Sequence, residues 1–182
     1  ISVGVLAVDP TSPLTGGAVL GDRIRMQSHF LDKAVFIRSF GTRGIHGGLS
    51  QSTRVGVRLL DAFGKDVIVV ETVGVGQTEL DIMRVADTVV VILVPEAGDA
   101  VQTMKAGLME IADLFVVNKM DRPGADKLAS DLRGMIRLGQ RFSWRPPVLQ
   151  TQGFKGYGIG ELDQVIANHR AHTESNGTVQ LR

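Results

Sequence analysis

Cysteine is absent from the 182 residues, which excludes disulfides and thiolate metal sites and fits a reducing compartment. Charge excess is absent too: 20 Lys and Arg face 19 Asp and Glu, for a net charge of +1. A balance this close leaves no electrostatic footprint for nucleic acid or an anionic membrane. No apolar run approaches the roughly 20 residues of a membrane span, and the sequence shows no signal-peptide pattern, internal repeat or low-complexity segment. The four histidines, His29, His46, His169 and His172, are scattered, with only the last two close together. What is there, 43% hydrophobic and 21% charged residues, is the composition of an ordinary soluble globule. At this length one domain hides roughly 70% of its unfolded surface.

Strand-like and helix-like stretches alternate along the chain. Apolar runs at residues 2–8, 34–37, 67–70, 88–94, 114–117 and 147–149 read as strands. Capping residues and helical spacing predict helices over 23–30, 50–63, 79–85, 99–112, 123–138 and 159–171. In the helix that opens at Ser50, Val55, Leu59 and Leu60 carry the apolar spacing and Gly64 is the stop. The stretch from Arg38 to Gly48 reads as a glycine-rich, basic loop outside the core. This alternation predicts a parallel α/β sheet in one domain spanning residues 1–182.

The most informative junction is Val67 to Glu79. An unbroken Val/Ile run, as in a strand buried on both faces of a parallel sheet, stops at Glu71 and opens into Gly74 and Gly76. Ligands of such sheets sit just beyond the carboxyl ends of the strands, and glycines there bring bare N–H groups close to an anion. A strand-end turn would use the same residue types, so this stretch alone leaves both meanings open.

Three further strand ends carry polar groups: Asp9, the string Asn118-Lys119-Met120-Asp121, and Thr151-Gln152-Gly153. In a doubly wound sheet these ends share one edge and converge on one ligand. Guanine presents two neighbouring donors, its ring N–H and its exocyclic amine, and a fixed Asp121 accepts both. Adenine would leave that carboxylate unpaired, at a cost that discriminates strongly. Asn118 would tie the loop to its neighbours, and the stem of Lys119 would cover the base.

Taken together, Val8-Asp-Pro-Thr-Ser12, Thr15-Gly-Gly17, Leu20-Gly-Asp-Arg-Ile-Arg-Met26, Glu71-Thr-Val-Gly-Val-Gly-Gln77 and Asn118-Lys-Met-Asp121 resemble the MeaB/ArgK group of P-loop GTPases over nearly the entire chain. These are G-protein chaperones of methylmalonyl-CoA mutase and related adenosylcobalamin-dependent mutases. The resemblance implies a three-layer α/β/α GTPase domain that binds GTP or GDP with Mg²⁺. It implies that Asp9, Asp22 and Glu71 surround the Mg²⁺, directly or through water, and that Asp9 to Met26 form a first switch. Gly74 would offer its N–H to the γ-phosphate, with Gln77 in the same second switch. Asn118, Lys119 and Asp121 would hold guanine, joined by a second base-contacting loop at Gln152, Gly153 and Phe154. Gln152 stands where Ser or Ala is expected. Gln102 and Lys105, in the segment Pro95 to Lys105, would answer to nucleotide and partner, and Arg43 fits the family pattern in its loop. The implied partner is an adenosylcobalamin-dependent acyl-CoA mutase, with no nucleic acid or membrane. The full-length protein is expected to be a homodimer in the cytoplasm, or in the mitochondrial matrix of a eukaryote.

One element of that pattern is missing. No Gly-x-x-x-x-Gly-Lys-Ser/Thr string occurs, although that loop cradles the phosphates and supplies a lysine to them. The start at Ile1 and the intact guanine string favour a fragment, incomplete at the N-terminus and lacking the C-terminal dimerisation arm, over a degenerate homologue. Such a fragment is expected to bind GTP weakly and to be inactive. Two other readings stay open: a metal-insertion GTPase of the same superfamily, against which stand the missing Cys and scattered His, and a partner-binding α/β module without nucleotide.

Overall fold

The structure, a computed structural model, describes residues 1–9, 26–41, 51–72, 79–96, 107–138 and 143–177. The chain divides into two compact units, Ile1–Val85 and Ala86–Arg182, and each carries a three-stranded, wholly parallel sheet. The predicted parallel α/β class is the observed one. No helix among the described residues is long and apolar enough to cross a membrane.

In the first unit β1 (Val3–Asp9) lies between β2 (Val35–Gly41) and β3 (Val67–Thr72). Leu6, Ala7 and Val8 of the central strand are buried, and α1 (Gln51–Ala62) packs on it. A Cβ at Gly4 would stand 2.7 Å from Leu60 Cδ1, so a missing side chain on β1 is what seats the helix. Helix α1 buries Thr53, Gly56 and Leu60, spaced as one helical face, while Val55 and Leu59 remain about half exposed. This corrects the predicted apolar stripe: close approach to the sheet selects small residues where periodicity looks for large ones.

Strand β2 also departs from expectation. It continues past Ile37, so Arg38, Ser39 and Phe40, assigned above to a loop, pair with Leu6, Ala7 and Val8. Ladder hydrogen bonds to a buried central strand outweigh the local composition. The Val/Ile run of β3 is not buried on both faces either. Within the first unit's sheet of described strands it lies at the edge, with Val67 and Val69 44% and 45% exposed.

The entries to β1 and β3 are clamped together. Asp66 Oδ2 accepts from the Ser2 backbone N–H at 2.6 Å and from its hydroxyl at 3.1 Å. The backbone N–H first, and then the hydroxyl, hold the Asp66 carboxyl below the ordinary carboxylate range. With the folded-state pKa depressed, the stabilisation is present above the unfolded value, about 3.9, and is lost as pH falls through the folded one. Urea midpoints measured at successively lower pH should therefore fall less steeply in Asp66→Asn than in the wild type. An identical acid-side decline in both would show that the clamp carries no linkage.

In the second unit β5 (Leu114–Asn118) lies between β4 (Val90–Leu93) and β6 (Val148–Thr151). Here the two-sided burial expected of a parallel strand is realised. Phe115 and Val117 face α2 (Ala125–Leu138), packing with Leu128, Ala129 and Leu132. Leu114 and Val116 face the other way, with Leu149 and with Leu162, Val165 and Ile166 of α3 (Ile159–Ser175). Full burial of a side chain such as Leu132 contributes about 1.5–3 kcal/mol. Helix α3 outruns its predicted end at Ala171: the Thr173 and Ser175 hydroxyls donate to the Arg170 and His172 carbonyls, and Arg170 pairs with Glu174 at 2.8 Å. Of the helix expected over 99–112, only Met109–Ile111 is seen as α-helix, and residues 97–106 lie outside the described set. The stretches predicted helical at 23–30 and 79–85 hold 3₁₀ turns at Gln27–His29 and Glu79–Arg84.

A polar clasp closes the amino end of this sheet. His169, 1% exposed, sets Nε2 3.2 Å from Asp113 Oδ1 and Nδ1 2.9 Å from the Thr88 hydroxyl. Asp113 Oδ2 accepts from the Val89 N–H, and Trp144 donates its indole N–H to the Asp113 carbonyl at 2.7 Å while standing edge-on to His169. A proton on Nε2 lets the ring donate to Asp113, and the Thr88 hydroxyl pairs with the other nitrogen. The chain preceding β4, β5 and β6 is thereby tied to α3, which explains one of the scattered histidines as architecture.

Candidate nucleotide site

Strand β5 ends on Asn118, and the loop that follows is fixed by hydrogen bonds rather than by burial. Asn118 Oδ1 accepts from the Thr151 hydroxyl at 3.1 Å and from the Gly153 N–H at 3.0 Å. Met120 N donates to the Thr151 carbonyl at 3.0 Å, and Arg122 N closes a turn onto the Lys119 carbonyl at 2.9 Å. Lys119 sits at φ 58°, a left-handed conformation that costs a non-glycine residue about 1–2 kcal/mol. A strained residue held by its neighbours is a common mark of a functional loop.

The second loop starts where β6 ends. Gln152 N donates to the Tyr157 carbonyl at 3.1 Å, a single 3₁₀ turn spans Gly153–Lys155, and Gly156 and Gly158 take φ of 76° and 75°. In this loop, expected above to contact the base, the Gln152 N–H closes onto Tyr157 and the Gly153 N–H ties it to Asn118. Phe154 projects fully into solvent. A Cβ on Gly158 would stand 2.5 Å from the Gln150 carbonyl oxygen, so the loop returns over β6 at a distance that only glycine permits.

The two loops leave Asp121 about half exposed, its Oδ2 4.0 Å from Arg122 Nε. Lys119 Nζ donates to Glu96 Oε2 at 3.0 Å. The second unit thus joins the loop of Asn118, Lys119 and Asp121 to the loop of Gln152, Gly153 and Phe154 through the Asn118–Gly153 and Met120–Thr151 hydrogen bonds, with Phe154 left in solvent. Sequence reasoning missed Glu96 and Gly158. The first lay inside the quoted Pro95 to Lys105 segment, and the second is a glycine preceding a predicted helix; neither spacing nor composition separates them from ordinary loop residues.

The carboxylate part lies in the first unit. Glu71, partly buried, stands opposite Ala7 near the carboxyl end of β3, and Asp9 ends the neighbouring β1. Carboxylate oxygens suit a hard cation such as Mg²⁺, so the donor chemistry of these positions fits the ion the resemblance implies. The Asp9 side chain and all of Asp22, Arg43, Gly74, Gln77, Gln102 and Lys105 lie outside the described residues.

A family model described as methylmalonyl Co-A mutase-associated GTPase MeaB matches residues 1–182. The chain belongs to the MeaB family. A Pyrococcus horikoshii protein that carries a GTPase name is 56% identical over 179 residues, covering 96% of this chain and 56% of its own. GTPase ArgK of Escherichia coli is 38% identical over 186 residues, covering 99% of this chain and 56% of its own. Among solved structures, a LAO/AO transport system kinase superposes with a TM-score of 0.77 at 30% identity, covering 100% of this chain and 53% of the other. The chain therefore spans about half the length of the MeaB-family relatives it matches. Within the MeaB frame the parallel α/β fold is that of a P-loop GTPase, and guanine nucleotide is the ligand class of the family.

Proposed function

We propose that the complete gene product binds GTP, hydrolyses it to GDP and phosphate, and uses the cycle as a chaperone that gates adenosylcobalamin loading of methylmalonyl-CoA mutase or a related acyl-CoA mutase. The observation that carries the nucleotide part is the paired-loop geometry, in which Asn118 Oδ1 joins the Lys119–Asp121 loop to Gly153 and leaves the Asp121 carboxylate at its open side. Two acceptor oxygens on a fixed loop match the two adjacent donors of guanine. The mutase part is supported by the family's description.

In this reading Asp121 selects the base, Lys119 covers it, and the Gln152–Phe154 loop lines its edge. Asp9, Asp22 and Glu71 hold Mg²⁺, which when bound offsets charge on the phosphates. The Gly74 N–H and Gln77 sense the γ-phosphate, and its loss releases their segment. Arg43, Gln102 and Lys105 pass that change to the mutase. Residues 1–182 then form most of one GTPase domain, and the full-length protein is a cytoplasmic homodimer, or a matrix one in a eukaryote.

Adding purified adenosylcobalamin-dependent mutase to the full-length protein should raise its GTP hydrolysis rate, and the two should co-elute from a sizing column. If neither happens while GTP is still hydrolysed, the chaperone part of the proposal falls and the GTPase part stands.

A further inference from the structure

Glu96 has no role in the site as described so far, yet among the described residues it is the carboxylate that meets both cations flanking Asp121. It follows Pro95 just beyond the carboxyl end of β4, and β4 pairs with β5, so Glu96 lies at the same sheet edge as the base loop. Its two oxygens are divided between two partners. Oε2 takes the Lys119 ammonium at 3.0 Å and Oε1 faces Arg122 Nε at 3.6 Å. The same Arg122 Nε is 4.0 Å from Asp121 Oδ2.

Those three distances describe a competition. For two-donor recognition of a purine, both Asp121 oxygens have to be available, and a protein cation seated on them would take the place of the base. Arg122 is the adjacent residue, and its guanidinium fork matches a carboxylate bidentately. Glu96 draws that guanidinium toward itself, and it also anchors the head of Lys119, whose stem is the cover for the base. All four side chains are about half exposed, so the pairing contributes little to folding. A charge arrangement that stabilises little but controls which cation sits on the specificity carboxylate has its consequence in binding.

We propose that Glu96 is a positioning residue of the base site: it holds Lys119 in place and keeps Arg122 off Asp121, and thereby sets both the affinity for guanine and the discrimination between guanine and hypoxanthine. This rests on the guanine reading of Asp121. When Glu96 is neutralised, Asp121 is the remaining carboxylate paired with Arg122 among the described residues, and Arg122 settles there. A base carrying two donors then loses more than a base carrying one, because one of its two acceptor positions is occupied.

The test is equilibrium titration of the full-length protein with GDP, IDP and ADP, alongside thermal denaturation. Glu96→Gln should weaken GDP binding about three- to five-fold, the size expected for loss of an exposed charge interaction. The GDP-to-IDP affinity ratio should shrink, and the melting temperature should stay within about 2 °C of wild type. Arg122→Gln should bind GDP at least as well as wild type, and Glu96→Gln/Arg122→Gln should regain most of the lost affinity. A merely structural Glu96 would lower all affinities together and would not be rescued at position 122. Wild-type GDP affinity in Glu96→Gln, or a loss that Arg122→Gln does not reverse, overturns the proposal while leaving the guanine reading intact. A wild-type protein that binds ADP as tightly as GDP overturns the guanine reading itself.

Discussion

Replacing Asp121 with Asn in the full-length protein should lower GTP affinity by about 10²- to 10⁴-fold. The two hydrogen bonds from guanine to a carboxylate contribute about 1.5–3 kcal/mol each, and asparagine turns an N–H toward a base edge that itself presents N–H groups. The same substitution should raise affinity for xanthosine triphosphate, whose carbonyl at the amine position accepts what asparagine donates. The effect belongs to binding alone. Asp121 is about half exposed and pairs only loosely with Arg122 among the described residues, so the unfolding free energy should change by less than about 0.5 kcal/mol. Competition titration with GTP and xanthosine triphosphate measures both sides of the swap. Unchanged GTP binding would remove the base-binding assignment of the Asn118–Asp121 loop.

Gly158→Ala should be the most destabilising single-methyl change at the site, at about 2–4 kcal/mol. Two costs add. An L-residue at φ 75° pays about 1–2 kcal/mol in backbone strain, and the new methyl would lie 2.5 Å from the Gln150 carbonyl oxygen and 3.1 Å from Thr151 Cγ2. Both neighbours belong to β6, whose backbone is held in the sheet, so the loop has to yield. Gly156 provides the control. It has nearly the same φ, 76°, but a Cβ there meets nothing within 4 Å. Gly156→Ala should therefore cost only the strain part, and the difference between the two variants in urea denaturation isolates the clash. Because displacing the 152–158 loop pulls Gly153 from Asn118, Gly158→Ala should also weaken GTP binding, and Gly156→Ala should weaken it less. Equal stability of the two variants would mean that the close approach of Gly158 to β6 is not maintained in solution.

These two predictions sit on opposite sides of what a linear reading can reach. Asp121 was legible because its chemistry is local: four consecutive residues after an apolar run define donor and acceptor complementarity by themselves. Gly158 was not, since its constraint is a carbonyl oxygen eight residues back that comes overhead only when β6 and α3 are in place. Helix α1 shows the same divide. Apolar spacing found the helix, but which face it buries was decided by the close approach at Gly4 and Gly56, so Thr53 is inside while Val55 and Leu59 are about half out.

The sequence by itself determined the α/β alternation, the polar groups at the strand ends and the family, because each is written in residue type and short-range spacing. Only the tertiary structure decided that Arg38–Phe40 is strand and not loop, that His169 belongs to a clasp with Asp113 and Thr88, and that Glu96 reaches both cations beside Asp121. Those outcomes depend on partners 23 to 81 residues away in the chain. Contacts at that separation are set by how the strands order themselves in the sheet, which local composition does not encode.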